Sequence, residues 1–81
     1  MTTYDRIHAI LADVLMLEDP SVIKPDTHIV RDLGAESLNI AEIVVAIENE
    51  FGLEVQLETV HQAPTVQQLV DLVDAAIRAL Q

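Results

Sequence analysis

The sequence contains no cysteine and no tryptophan, and its only aromatic residues are one tyrosine and one phenylalanine. The lack of cysteine excludes disulfides and thiolate metal sites. Because 51% of the residues are nonetheless hydrophobic, the core must consist mainly of Leu, Ile, Val and Ala. A chain of 81 residues buries enough surface for one small core but not for a deep catalytic cleft. We therefore expect a single domain that spans residues 1–81.

Basic residues are scarce. Four Lys and Arg residues stand against fourteen Asp and Glu residues, which gives a net charge of −10, and no basic residue occurs between Arg31 and Arg78. Such a surface repels nucleic acid and anionic membranes, and it attracts proteins with basic surfaces. The alternative is that the acidic composition serves solubility alone.

Long hydrophobic runs are also lacking. The longest uninterrupted apolar run extends from Ile43 to Ile47, which is far too short to span a bilayer. The first residues do not have the basic and then apolar layout of a signal peptide. The sequence therefore predicts a cytoplasmic protein that has neither a membrane nor a nucleic acid as its partner.

Apolar residues at spacings of three and four predict three main helices. The first extends from Tyr4 to Leu17, the second from Ser37 to Phe51 and the last from Val66 to Leu80. Sequence signals for their ends are Thr2 or Thr3 as the first N-cap, Gly52 as a left-handed stop, and Thr65 with Gln68 as a capping box. Residues 58–62 are expected to form one short helical turn.

Residues 18–36 form a long connection with two prolines, one glycine and no clear period. Loops of this length are uncommon in compact domains and tend to be functional. Its apolar residues are expected to pack on the bundle: Val22, Ile23, Ile29, Val30 and Leu33. The predicted fold is all-α, a bundle of three main helices and one short helix with a long loop between the first and second helices.

The second predicted helix has two apolar faces when its residues are placed at roughly 100° per step. One face is predicted to enter the core and consists of Ile40, Ile43, Val44, Ile47 and Phe51. The other face, which we call the apolar strip, consists of Leu38, Ala41 and Val45 and is bordered by Glu42, Glu48 and Asn49. The strip either packs beneath the long loop or forms an exposed docking surface. Its small size and acidic border favour the second interpretation.

Ser37 stands beside this strip, at the start of the helix. A catalytic serine needs a general base and an oxyanion hole, and no motif links any of the three histidines to Ser37. The histidines do not have metal-ligand spacing either, so we expect neither an enzyme nor a metal site. Ser37 suits an ordinary N-cap. The start of a helix also favours a phosphoryl group, because its free N–H groups and dipole attract anions.

The string DLGAESL at residues 32–38, followed by a helix that ends in EFGLEV at residues 50–55, resembles the acyl carrier protein family. The resemblance covers essentially the whole chain. It implies that Ser37 receives 4′-phosphopantetheine from coenzyme A through a magnesium-dependent phosphopantetheinyl transferase. The thiol of this arm would then carry acyl groups as thioesters, without catalysis by the chain itself.

The same resemblance implies a surface for partner enzymes. These would be the transferase and the acyl-loading and acyl-processing enzymes of fatty acid, polyketide or related biosynthesis, each with a basic docking surface. The residues that would contact them are Glu36, Leu38, Ala41, Glu42, Val45 and Glu48. A monomer is expected.

The sequence departs from the family pattern at several positions. Glu36 stands where the family usually has Asp, and Asn39 and Asn49 stand where acidic residues are common. Ala35 replaces the second glycine of the Gly-Gly-x-Ser pattern of peptidyl carriers. We expect a specialised carrier for a dedicated pathway. The alternatives are an aminoacyl or peptidyl carrier, and a non-carrier acidic helical interaction module in which Ser37 is only a cap.

Overall fold

A computed structural model describes residues 1–80 of the chain. Within this part, the chain forms helices and no β-strand. The predicted domain 1–81 thus includes one residue, Gln81, that lies outside the described part. The α-helices are α1 (Thr3–Val14), α2 (Ser37–Phe51), α3 (Leu57–His61) and α4 (Val66–Ala79), and a single 3₁₀ turn covers Pro20–Val22 in the long loop. This confirms the predicted all-α bundle of three longer helices and one short one. No helix within residues 1–80 is long and apolar enough to cross a membrane.

The core is aliphatic. Its largest fully buried side chains come from α1, the long loop, α2, α3 and α4, and they are Ile7, Leu11, Ile29, Ile43, Ile47, Val60, Val66 and Leu69. The predicted core face of α2 is confirmed for its four aliphatic residues, whereas Phe51 is only partly buried. The Arg6 guanidinium lies 5.1 Å from the centre of the Phe51 ring, and Arg6 Nε lies 2.9 Å from Glu50 Oε2. These contacts join α1 to the end of α2.

Helix α1 ends at Val14, three residues earlier than the predicted Leu17. After it, Met16 adopts a left-handed backbone with φ 53°. The Met16 N–H donates to the Asp13 carbonyl, and the Leu17 N–H donates to the Ala12 carbonyl at 3.0 Å. This is a Schellman motif, which closes a helix by returning two N–H groups to its last turn. Leu17 therefore keeps its partly buried place although it lies outside the helix.

The long loop is joined to the start of α4. The Ile29 N–H donates to the Pro64 carbonyl at 2.9 Å, and His28 forms an isolated antiparallel bridge with Thr65. Ile23 and Ile29 are buried, and Leu33 packs partly against the core. The predicted packing of Val22 and Val30 is wrong, because both are half exposed. Hydrogen bonds to α4 hold this loop in place alongside its buried side chains.

Candidate functional site

The approach to α2 brings the chain from the core to the surface within three residues. Gly34 has a left-handed backbone with φ 71°, and its N–H donates to the Val30 carbonyl. A Cβ at this position would contact nothing, so the glycine is required by the backbone angle and not by space. Ala35 is buried, while Glu36 and Ser37 are exposed. The approach therefore fixes Ala35 in the core and presents the next two residues to solvent.

The N-cap of α2 is Glu36, whose backbone is extended, and Ser37 is the first residue with helical backbone. The interpretation of Ser37 as the N-cap is therefore wrong. The cap shifts by one residue because the Asn39 side chain turns back, and its Oδ1 accepts a hydrogen bond from the Glu36 N–H at 2.9 Å. The Ser37 hydroxyl forms no hydrogen bond to any residue in the described part of the chain. It is exposed to solvent.

The first turn of α2 is also open toward solvent. Among residues 1–80, no oxygen accepts from the N–H groups of Ser37 and Leu38, and no acidic residue lies in this turn. Unpaired N–H groups at a helix N-terminus, together with the helix dipole, favour a negatively charged group there. Ser37 therefore combines an exposed nucleophilic oxygen with surroundings that favour a phosphodiester, in spite of the adjacent Glu36.

The apolar strip is exposed. Leu38 is 72% exposed and Val45 is 55% exposed, and Ala41 is exposed between them. The interpretation that the long loop covers the strip is wrong, since that loop is bonded to the start of α4 instead. The strip borders an open groove of about 440 Å³ between α1 and α2, lined by Val14, Ala41, Glu42, Val45, Ala46 and Asn49.

The sequence did not indicate Val14 and Ala46 as part of this surface. Val14 continues the apolar series of α1, because it follows the core residues Ile7 and Leu11 at the same helical spacing of three or four residues. Because α1 ends at Val14, this side chain is only partly buried and lines the groove. No sequence signal reports where a helix of regular period leaves the core.

The predicted partner-binding residues do not all have the same surroundings. Glu42 is exposed, and it has no hydrogen-bonding or ionic partner within residues 1–80. Glu48 is only partly exposed, and its Oε2 accepts a hydrogen bond from the Val55 N–H at 3.1 Å. Glu36, Leu38, Ala41, Glu42 and Val45 are exposed at or near the start of α2 and along the strip. Glu48 differs from them in being only partly exposed and in bonding to a segment that follows α2.

Two of the three histidines, His8 and His28, contact other residues. His28 Nδ1 accepts a hydrogen bond from the Arg31 N–H at 2.9 Å, and the His8 ring lies 6.0 Å from the Tyr4 ring. In the described part of the chain, no group of three or more His, Cys, Asp or Glu residues could hold a metal ion. Neither of these histidines forms a hydrogen bond to Ser37.

Two comparisons with known proteins agree with each other. A family model described as a phosphopantetheine attachment site matches residues 5–73. A protein named acyl carrier protein, from Thermosynechococcus vestitus (strain NIES-2133 / IAM M-273 / BP-1), is 35% identical over 75 residues. This match covers 93% of the present chain and 91% of the relative. The chain belongs to the acyl carrier protein family.

Membership of this family defines the class of activity. An acyl carrier protein is a carrier and not an enzyme, and its cofactor is a covalently attached 4′-phosphopantetheine. The exposed hydroxyl at the open start of α2 fits the attachment of such a group, because the oxygen is accessible and the neighbouring N–H groups can face a phosphate. The strip and the groove beside it form an exposed, largely apolar face on the same helix.

Proposed function

We propose that Ser37 carries the 4′-phosphopantetheine arm, and that the protein shuttles acyl groups between enzymes of fatty acid, polyketide or a related specialised biosynthesis. The observation that carries the proposal is the exposed Ser37 hydroxyl, which is not used as a helix cap and stands at an open helix N-terminus. The arm supplies the thiol that holds the acyl group as a thioester. The chain itself supplies the attachment oxygen and the docking face.

Attachment is a phosphoryl transfer from coenzyme A. Ser37 Oγ would form a bond to the phosphorus that carries the pantetheine, and the bond from that phosphorus to the bridging oxygen of the adenosine 5′-phosphate would break. Adenosine 3′,5′-bisphosphate would leave, and the magnesium-dependent phosphopantetheinyl transferase would take up the serine proton. The product phosphodiester would carry one negative charge, which the open N–H groups of Ser37 and Leu38 would stabilise.

Docking would use the apolar strip and the groove beside it. An apolar side chain of a partner would lie in the open groove of about 440 Å³, and a basic side chain beside it would face Glu42. Glu36 and Glu42 are exposed, so their attraction for a partner is modest and screened by salt. Weak, salt-sensitive docking suits a carrier that visits several enzymes in succession. Together with this role we propose a single domain over residues 1–81 and a cytoplasmic monomer.

Intact mass of the protein after co-expression with a broad-specificity phosphopantetheinyl transferase tests the attachment. We expect the mass of one arm on the wild-type protein and none on Ser37→Ala. The matched control is Ser21→Ala, which removes the only other serine, whose hydroxyl donates to Asp19 Oδ1 at 2.6 Å. An arm that persists on Ser37→Ala would overturn the proposal, as would its absence from the wild-type protein across several transferases.

The specialised pathway is the finer part of the proposal. Asn39 is partly buried and uses its side-chain oxygen to cap α2, so its lack of charge says little about partners. Asn49 is exposed and lines the groove, so it makes the docking face less acidic. We expect slow loading by the malonyl transferase of ordinary fatty acid synthesis and faster loading by a pathway-specific enzyme. Efficient loading by the ordinary transferase would contradict this.

A further inference from the structure

Glu48 forms two hydrogen bonds to the segment that follows α2. Its backbone carbonyl accepts from the Gly52 N–H at 2.9 Å, and its side-chain Oε2 accepts from the Val55 N–H at 3.1 Å. Gly52 has a left-handed backbone with φ 67°, which turns the chain back toward the helix. One residue therefore bonds both ends of the turn that leaves α2.

The position of this carboxylate is electrostatically unfavourable without such a partner. Glu48 lies near the C-terminal end of α2, where the helix dipole disfavours a negative charge, and the last turn has no basic residue. The charge of Glu50 is compensated by Arg6 at 2.9 Å. Among residues 1–80 the Val55 N–H is the only hydrogen-bond partner of the Glu48 side chain. Loss of either the Glu48 carboxylate or the Val55 N–H would leave the other without its hydrogen-bond partner.

The segment held by this bond connects α2 to α3 and covers part of α4. Leu53 is buried in the core at 7% exposure. Val55 lines an apolar cleft of about 160 Å³ against α4, together with Leu69, Leu72, Val73 and Ala76. Helix α3 begins two residues later, at Leu57. The bond from Glu48 to Val55 therefore lies just before the start of α3.

We propose that Glu48 is a positioning residue, whose carboxylate latches residues 52–56 to α2 and acts on partner enzymes through the placement of α3. It does not serve as a docking charge. The inference deepens the proposed carrier function and rests on it for the effect on partner enzymes, whereas the latch itself is independent of any cofactor. It also separates Glu48 from Glu42, an exposed carboxylate on the same helix that has no such bond.

Substitution by glutamine separates the two roles, since glutamine keeps a side-chain oxygen that can accept from Val55 N–H but loses the charge. The probe is hydrogen exchange of the Val55 amide in the unmodified protein. We expect Glu48→Ala to speed this exchange by about tenfold and Glu48→Gln by no more than about threefold, as a lost and a weakened hydrogen bond would. Unchanged exchange in Glu48→Ala would overturn the latch, as would equally fast exchange in both variants.

The second probe is the rate of arm transfer from coenzyme A by a broad-specificity phosphopantetheinyl transferase. A latch predicts slower transfer to Glu48→Ala and recovery of most of the rate in Glu48→Gln. The matched pair is Glu42→Ala and Glu42→Gln, which should be slowed equally because only the charge is lost. A Glu48→Gln protein as slow as Glu48→Ala would overturn the proposal. If the chain accepts no arm at all, the carrier function fails, and the Val55 exchange still decides whether Glu48 is a latch.

Discussion

The two long helices that follow the loop begin in opposite ways. At the start of α4, the Val66 N–H donates to the Thr27 carbonyl at 3.0 Å and the Gln67 N–H donates to the Pro25 carbonyl at 2.9 Å. The Thr65 side chain accepts from the Gln68 N–H at 3.2 Å. The first N–H groups of α4 are therefore satisfied by the chain itself, which leaves no room for a ligand.

At the start of α2, a local cap of the same kind is present, but the loop does not close over it. Asn39 Oδ1 accepts from the Glu36 N–H, as Gln68 Oε1 accepts from the Thr65 N–H at 3.1 Å. Within residues 1–80 the N–H groups of Ser37 and Leu38 have no acceptor. The side-chain cap therefore does not distinguish the start of α2 from the start of α4. The course of the long loop does, because it seals α4 and leaves α2 available.

The largest expected effect on stability is at the sealed end. Thr65→Ala removes the acceptor for the Gln68 N–H, and we expect it to lower the free energy of unfolding by about 1–2 kcal/mol. Urea denaturation followed by circular dichroism measures this. Thr65→Ser keeps the hydroxyl and should recover most of the loss. Ser37→Ala at the open end should change the stability by less than about 0.5 kcal/mol. Equal losses at Thr65 and Ser37 would break the comparison.

A smaller effect is expected from the cap of the open end. Asn39→Ala leaves the Glu36 N–H without its acceptor at 2.9 Å, so we expect a loss of about 0.5–1 kcal/mol because water can replace part of the bond. Asn39→Asp is the matched control, since it keeps an acceptor and adds a charge that the helix dipole favours. If both variants were as stable as the wild-type protein, Asn39 would not stabilise the start of α2.

The smallest effect concerns α1, whose cap resembles that of α4 but contains a carboxylate. The Thr2 N–H donates to Asp5 Oδ2 at 3.1 Å, and this hydrogen bond, together with one from the Thr2 side chain to the same carboxylate, holds the pKa of Asp5 below its ordinary value. A lowered pKa in the folded state means that the stabilisation is present above the unfolded pKa and is lost as the pH falls through the folded pKa.

We therefore expect Asp5 to add a small loss of stability as the pH falls below about 4. Asp5→Asn keeps a side-chain acceptor without a titrating group, so its stability relative to the wild-type protein should improve over that range. The difference is measured from the urea midpoints of both proteins between about pH 5 and about pH 2.5, an interval that brackets the ordinary pKa of Asp. Parallel curves for the two proteins would show that Asp5 does not contribute.

The sequence predicted those features that depend on local pattern. Helix α2 has the predicted bounds, because its period is regular and Gly52 supplies the left-handed residue that ends it. The end of α1 was predicted too late, because the left-handed residue that closes it is Met16. Glycine is the usual residue in this conformation, so no sequence signal indicates the helix end. The cap of α2 was placed one residue too late, because Asn39 selects Glu36 and not Ser37 as the residue before the helix.

Features that depend on contacts between distant residues could not be predicted from the sequence. The carbonyls of Pro25 and Thr27 in the loop accept hydrogen bonds from the first residues of α4, about forty residues later in the chain. No local sequence signal indicates these bonds. Glu48 has the spacing of a docking carboxylate, yet its hydrogen bond to Val55 depends on how the chain turns after Gly52. The exposure of Leu38 and Val45 was predicted correctly from the acidic residues around them.

The location of the arm tests the central claim most directly. Trypsin cleavage after Arg31 separates Ser21 from Ser37, and no further Lys or Arg occurs before Arg78. Fragmentation of the peptide 32–78 from co-expressed protein should place the mass of 4′-phosphopantetheine on Ser37, and the peptide that contains Ser21 should be unmodified. An arm on any other residue, or an unmodified peptide 32–78 after exposure to several active transferases, would contradict the account.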